Sequence, residues 1–334
     1  MNIPDPAPVI DLIEAFRRSQ TMFAAVALGV FDELSKNPAD VPSLAARLNT
    51  DAPALERLLY ACASLGLLAR RDGRYANEPA AETYLVRSSE RTLAGYVLYS
   101  NQVLFPMWAH LEDAVREGSH RWKQTFGSEG PIFDHFFQNE DAMRTFLLGM
   151  HGFGVLSSPK VVAAFDLGRF RKLADLGGAT GHLAIAACER YPGLHAAVFD
   201  LPRVIEVARD QVARSSAKDR IELVAGDFFR DPLPQADLYA VGRILHDWSE
   251  EKIRALLKKI YDRLPSGGAL LIAEKLLAGD KISAHMQSLN MLVCTEGKER
   301  TLAEYRALLE AAGFTNVEGR STGAPLDAVL AFKP

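Results

Sequence analysis

Cysteine is scarce in this chain: Cys62, Cys188 and Cys294 are odd in number and far apart. They supply no disulfide framework and point to reduced thiols, so the expected setting is the cytoplasm. An excess of one charge is also missing. The 38 Lys+Arg against 42 Asp+Glu leave a net charge of -4 with both signs spread along the sequence, which lacks the basic footprint of a nucleic-acid partner. No uninterrupted apolar run reaches the roughly 18 residues that span a bilayer, so no membrane partner is expected. The first residues carry Asp5 and prolines where a signal peptide has a basic and then an apolar region, and none is expected. The eight histidines are scattered without ligand spacing, so no metal is expected.

What is present is a glycine turn. Asp175-Leu176-Gly177-Gly178-Ala179-Thr180-Gly181 has the build of a strand end, a tight turn and a helix start. Glycine there admits positive φ and close approach of a ligand to the main chain. An ordinary turn has the same local sequence, but the context is more specific. Leu183, Ile185, Ala186, Ala187 and Cys188 supply the buried positions of a helix that stops at Tyr191-Pro192-Gly193, and His195 to Asp200 reads as a second strand closed by an acid. An acid about 20 residues beyond such a turn suits the hydroxyls of a ribose. Dinucleotide sites use G-x-G-x-x-G to hold a pyrophosphate, and Ala179 and His182 stand where that fingerprint wants glycine. An adenosine ligand without phosphate, S-adenosylmethionine, fits better.

At 334 residues about two domains are expected. Residues 1–100 read as helices with one hairpin: Leu44, Leu48, Leu55, Leu58, Leu59, Cys62 and Leu65 recur at helical spacing, and Asp72-Gly73 sits at a two-stranded turn. Together they spell a winged helix. A DNA-reading version would present Arg, Lys, Asn or Gln on its second helix, yet the stretch from Pro53 to Leu65 carries only Glu56 and Arg57 as charges. Basic Arg47, Arg57, Arg70, Arg71, Arg74 and Arg87 are balanced by acidic Asp40, Asp51, Glu56, Asp72, Glu78, Glu82 and Glu90. A protein interface, and so a homodimer, is expected instead. Residues 101–165 form a helical linker rich in aromatics and methionine, among them Phe105, Met107, Trp108, Phe133, Phe136, Phe137, Met150 and Phe153. Most are core, and the remainder, with Met150 and Phe153 assigned here, line a flat apolar pocket for a small substrate. Residues 166–334 alternate strand and helix, which predicts an α/β, Rossmann-like parallel sheet with seven strands at 172–176, 195–200, 220–225, 237–242, 268–274, 314–320 and 327–333.

Chemistry collects at the strand ends, where such sheets bind ligands. The third strand ends in Gly226-Asp227-Phe228-Phe229, an acid to accept from an adenine amine and a ring to pack on the base. The fourth ends in Gly242-Arg243-Ile244-Leu245-His246-Asp247-Trp248-Ser249, and Ser249 has the character of a helix cap. A lone histidine is usually structural. Glu274 closing the fifth strand and Glu299 after Gly297-Lys298 change that, because two carboxylates near His246 would fix its tautomer and favour its charged form.

These motifs, with Trp108 to Gly118, Ser288-Leu289-Asn290-Met291-Leu292-Val293 and Gly297-Lys298-Glu299-Arg300-Thr301, resemble those of the S-adenosylmethionine-dependent small-molecule O-methyltransferases, most of all the acetylserotonin branch, beside the plant caffeic acid and flavonoid enzymes. The resemblance covers nearly the whole chain and implies a metal-independent O-methyltransferase acting on a hydroxylated aromatic. It implies His246 as general base flanked by Glu274 and Glu299. It implies Gly177, Asp200, Asp227, Phe228 and Arg243 as cofactor contacts, and Asp247 and Asn290 as substrate contacts. The chain departs from the family in four places. Ala179 replaces a loop glycine, which is tolerable if that residue keeps negative φ. Cys294 stands at a substrate position where the acetylserotonin enzyme has Gln, and Phe137 and Gly154 stand where it has Tyr and Trp near the cofactor. With a hydrogen-bonding side chain lost there, the resemblance leaves open whether acetylserotonin is the acceptor.

Overall fold

The computed structural model describes residues 3–130, 133–134, 137, 139–279 and 281–334, so Phe136 lies outside the described residues. The chain forms two compact units, Met1–Val103 and Leu104–Pro334, and most of the stretch expected as a linker lies in the second.

The first unit begins with helices Ala7–Leu28, Val30–Lys36, Val41–Leu48 and Ala52–Ser64. Two of these starts follow directly from sequence. The Asp40 carboxylate accepts from the Ser43 N–H at 2.8 Å and that of Asp51 from the Ala54 N–H at 2.9 Å, with a proline in each first turn. Strands β1 (Leu68–Arg71) and β2 (Arg74–Asn77) then pair antiparallel, with Asp72 and Gly73 at φ 50° and 73° in the two-residue turn. Val26, Phe31, Leu44, Leu59, Cys62 and Tyr75 form the core between helices and hairpin.

The second unit is built on a seven-stranded sheet. Its strands are β3 (Lys172–Leu176), β4 (His195–Asp200), β5 (Ile221–Ala225), β6 (Leu238–Gly242), β7 (Ala269–Glu274), β8 (Thr315–Arg320) and β9 (Asp327–Phe332), in the order β5-β4-β3-β6-β7-β9-β8. The all-parallel expectation needs one correction: β9 runs antiparallel to both β7 and β8. Only a short loop joins β8 to β9, and a parallel crossover needs a dozen residues or more. Chain order reverses at β3, whose neighbours are β4 and β6, so the glycine turn leaves the sheet at its topological switch point.

The helix Glu140–Ala163 packs against His182–Arg190 and starts at Asn139, whose side chain accepts from the Ala142 N–H. By length and mean composition it is apolar enough to cross a membrane, although polar residues interrupt it and no run of about 18 apolar residues occurs. Met143, Leu147, Val161 and Val162 are buried within the unit, as on a core helix.

Candidate active site

The turn after β3 is strained as well as open. Gly177 and Gly181 have φ 64° and 78°, and Ala179 has φ 48°. The condition set for Ala179, a negative φ, is therefore not met, and a left-handed alanine costs roughly 1–2 kcal/mol. Its compensation is visible: the Ala179 N–H donates to Asp200 Oδ2 at 2.8 Å, while the Leu201 N–H donates to Oδ1 at 2.7 Å. Asp200 thus anchors the turn, and each of its oxygens keeps acceptor capacity. Burial pushes its carboxyl up to about 6 despite these two bonds. A Cβ at Gly177 would lie 2.4 Å from Ile244 Cδ1 and 3.3 Å from the Phe228 ring, so Gly177 and Phe228 share one wall.

Asp227 is turned partly to local duty. Its Oδ1 accepts from the Phe229 N–H at 2.8 Å, and its Oδ2 is 3.6 Å from Arg230 Nε. Arg243 follows β6 at φ 57°, and its guanidinium stands 5.5 Å from the centre of the Phe153 ring.

The structure brings His246, Glu274 and Glu299 together in a buried cluster, His246 being 3%, Glu274 1% and Glu299 0% exposed. Nδ1 of His246 lies 2.7 Å from Glu299 Oε1 and 3.2 Å from Glu274 Oε2. Glu274 is itself fixed, because its Oε1 accepts from the Ile244 and Leu245 N–H groups, both at 2.9 Å. Burial alone would lower the imidazole pKa, but the charges of Glu274, Glu299 and Asp247 and the Glu299 hydrogen bond outweigh it and raise it to about 9. With Nδ1 committed, Nε2 is the nitrogen left for proton transfer; its nearest acid, Asp247, is at 3.6 Å. The nitrogen and oxygen atoms of this triad lie within 4.8 Å of one another, and they also make up the donor set of a small divalent cation.

Among the residues expected to contact substrate, Asn290 is held through its Oδ1, which accepts from the Trp108 Nε1–H at 2.8 Å. Cys294 is buried and directs its thiol to the same oxygen at 3.7 Å, and burial, then the Asp247 charge, raises its pKa far above the usual thiol range. Met150 and Phe153 are half-buried on the helix Glu140–Ala163. Phe137 packs under the Arg203 guanidinium at 4.7 Å.

Sequence reasoning missed the support behind the triad. Arg300, 2% exposed, donates from Nη1 to the Leu245 and Lys298 carbonyls, and a Cβ at Gly297 would come within 2.2 Å of the His246 carbonyl oxygen. Their signal lay in Gly297 to Thr301, where only Glu299 had been given a role. His182, noted as a departure from a glycine fingerprint, was given no part at all.

A mostly parallel, doubly wound sheet with a glycine turn, an acid closing the next strand and a carboxylate-held histidine at one edge has the build of a cofactor-binding enzyme. Residues 108–315 match the profile of the O-methyltransferase domain and residues 10–87 that of the O-methyltransferase dimerisation domain, so the chain belongs to this O-methyltransferase family. It is similar to acetylserotonin O-methyltransferase of Bos taurus, 43% identical over 328 residues and covering 95% of each chain. It is also 40% identical over 336 residues to a probable bifunctional dTTP/UTP pyrophosphatase/methyltransferase protein of Homo sapiens, which matches 99% of this chain but only 54% of that protein. The chain thus spans about half the length of that relative. Among solved structures, human N-acetylserotonin methyltransferase in complex with SAM superposes with a TM-score of 0.93 at 38% identity, over 100% of this chain and 99% of the other.

Proposed function

We propose that the protein transfers a methyl group from S-adenosylmethionine to a hydroxyl of a small phenolic or indolic acceptor, with His246 as general base. The observation that carries this reading is the committed Nδ1 of His246, 2.7 Å from Glu299 Oε1, beside an anchored Glu274. A phenol with pKa near 10 is a poor nucleophile at neutral pH, and an imidazole raised to about 9 is close enough for nearly even proton exchange. Gly177, Asp200, Asp227, Phe228 and Arg243 would hold the cofactor, which supplies a methyl on a sulfonium leaving group. Asp247, Asn290, Met150, Phe153 and Cys294 would line the acceptor side, and in-line alignment is left to proximity.

The reading includes a winged-helix homodimer in the cytoplasm. The helix Ala7–Leu28 exposes Val9, Ile10, Leu12, Ile13 and Phe16, an apolar face suited to a second copy, and the three cysteines are free. It also includes independence from metal, membrane and nucleic acid. The Nδ1 to Glu299 spacing is that of a charge-assisted hydrogen bond, which supports a proton rather than an ion between those groups.

The test is incubation with methyl-labelled cofactor and a panel of phenols and hydroxyindoles, read by mass spectrometry, with and without chelator. Label should appear on a hydroxyl oxygen, and His246→Ala should cut turnover by about a hundredfold or more while cofactor affinity holds. Label on nitrogen or carbon, or unchanged turnover in the variant, would defeat the assignment of reaction or base respectively.

A further inference from the structure

A second histidine sits at the same sheet edge and takes no part in the proton transfer. His182 is the first residue of the helix His182–Arg190, directly after the glycine turn, and its Nδ1 lies 2.9 Å from Ser158 Oγ. Nε2 makes no hydrogen bond among the described residues. The ring fills a slot made for it: a Cβ at Gly154 would fall 2.2 Å from its Cδ2 and Cγ. Gly154 is interior to the helix Glu140–Ala163, where alanine is intrinsically better than glycine, so the missing methyl is explained by the ring and not by the helix.

The surroundings have one chemical character. His151 stands beside His182 with ring centres 6.5 Å apart, and its Nδ1 lies 2.8 Å from the hydroxyl of Thr180, a residue of the turn. Arg243 makes no ion pair among the described residues, stacks on Phe153 next to Gly154, and acts electrostatically on His182. Burial, then His151 and Arg243, lowers the His182 pKa to about 3, so its ring is a neutral donor and not a second cation. An unpaired guanidinium with neutral imidazoles at its side suits one carboxylate.

We propose that His182, seated in the slot opened by Gly154 and held by Ser158, is a cofactor-binding residue that donates from Nε2 to the carboxylate of the methionyl arm of the cofactor, beside Arg243. This rests on the S-adenosylmethionine reading for the identity of the ligand. With the Ser158 hydroxyl donating to Nδ1, the ring proton is fixed on Nε2, the nitrogen that donates to the ligand.

Titration calorimetry of the full chain with S-adenosylhomocysteine and with methylthioadenosine, which keeps the adenosine and sulfur but lacks the amino acid, tests it. His182→Asn keeps an acceptor, its amide oxygen, for the Ser158 hydroxyl and withdraws the donor at Nε2; it should weaken S-adenosylhomocysteine about tenfold and leave methylthioadenosine within about twofold. His182→Gln, which places a nitrogen near Nε2, should hold S-adenosylhomocysteine within about threefold of the unmodified chain. Gly154→Ala, by displacing the ring, should lose the same ligand selectivity, and adding it to His182→Ala should raise the melting temperature above that of His182→Ala alone. Unchanged S-adenosylhomocysteine affinity in the Asn variant, or equal loss of both ligands, overturns the proposal while the cofactor reading stands. Failure of the unmodified chain to bind either ligand overturns both.

Discussion

His182 and His246 are both largely enclosed at the carboxyl edge of one sheet, yet their protonation is opposite. For each, burial is the largest influence and acts against charge. His182 has a serine hydroxyl as partner and an arginine nearby, and its pKa falls to about 3; His246 faces two buried carboxylates and rises to about 9. Burial therefore does not decide what a histidine does. Its partners do, and they leave a neutral imidazole on the turn side of the edge and a protonated one on the triad side.

The largest effect that tests this division is expected on the turn side. Asp200 accepts from Ala179 and Leu201 and would also bind the ribose, so Asp200→Ala should weaken S-adenosylhomocysteine about a hundredfold by calorimetry, the scale of two lost charge-assisted hydrogen bonds. The His246 pH dependence should be retained when the cofactor is saturating. Equal cofactor binding by the variant would remove Asp200 from the ribose, and a shifted pH profile would mean that the two sides are not separate.

On the triad side, a base must be neutral to act, and a raised pKa means that turnover increases with pH. Below a break no higher than about 9, the rate should rise tenfold per pH unit. Glu299→Gln removes one carboxylate that holds the proton on, so the break should move down toward 6.5, the ordinary value for histidine, while the plateau drops about tenfold through the lost orientation. A pH–rate profile checks both. An unmoved break would show that Glu299 does not govern the charge of His246.

Much of this was legible in the chain because strand ends leave local signatures. All seven strands of the sheet begin and end within one residue of their expected positions, and the triad was nameable because His246 follows a strand, Glu274 closes one and Glu299 stands just before a helix, after Gly297-Lys298. The direction of β9 was also readable, from the short connection after Arg320, but alternation of strands and helices alone suggested a parallel sheet. What was not legible depends on contacts between distant segments. Nothing near His182 in sequence announces that Gly154, on another helix, gives it room, and nothing near Asn290 announces that Trp108 holds its amide oxygen. Arg300 was visible as a charge beside Glu299, but its burial under the Leu245 and Lys298 carbonyls is a tertiary fact.

Ala179 shows how the same kind of hidden fact can be a small cost. Its φ of 48° is the conformation the neighbouring glycines adopt freely, and its amide bond to Asp200 holds it there. Replacing it with glycine removes the left-handed penalty of roughly 1–2 kcal/mol but returns about 0.5–1 kcal/mol of chain entropy to the unfolded state. Ala179→Gly should therefore stabilise the protein by about 1 kcal/mol or less in denaturant titrations, with the Asp200 bond intact. Because the change lies wholly on the turn side, the pH break set by His246 should stay in place. Loss of stability would mean that the methyl contributes packing that outweighs its strain, and the turn would then be held from the side-chain face as well as by the amide.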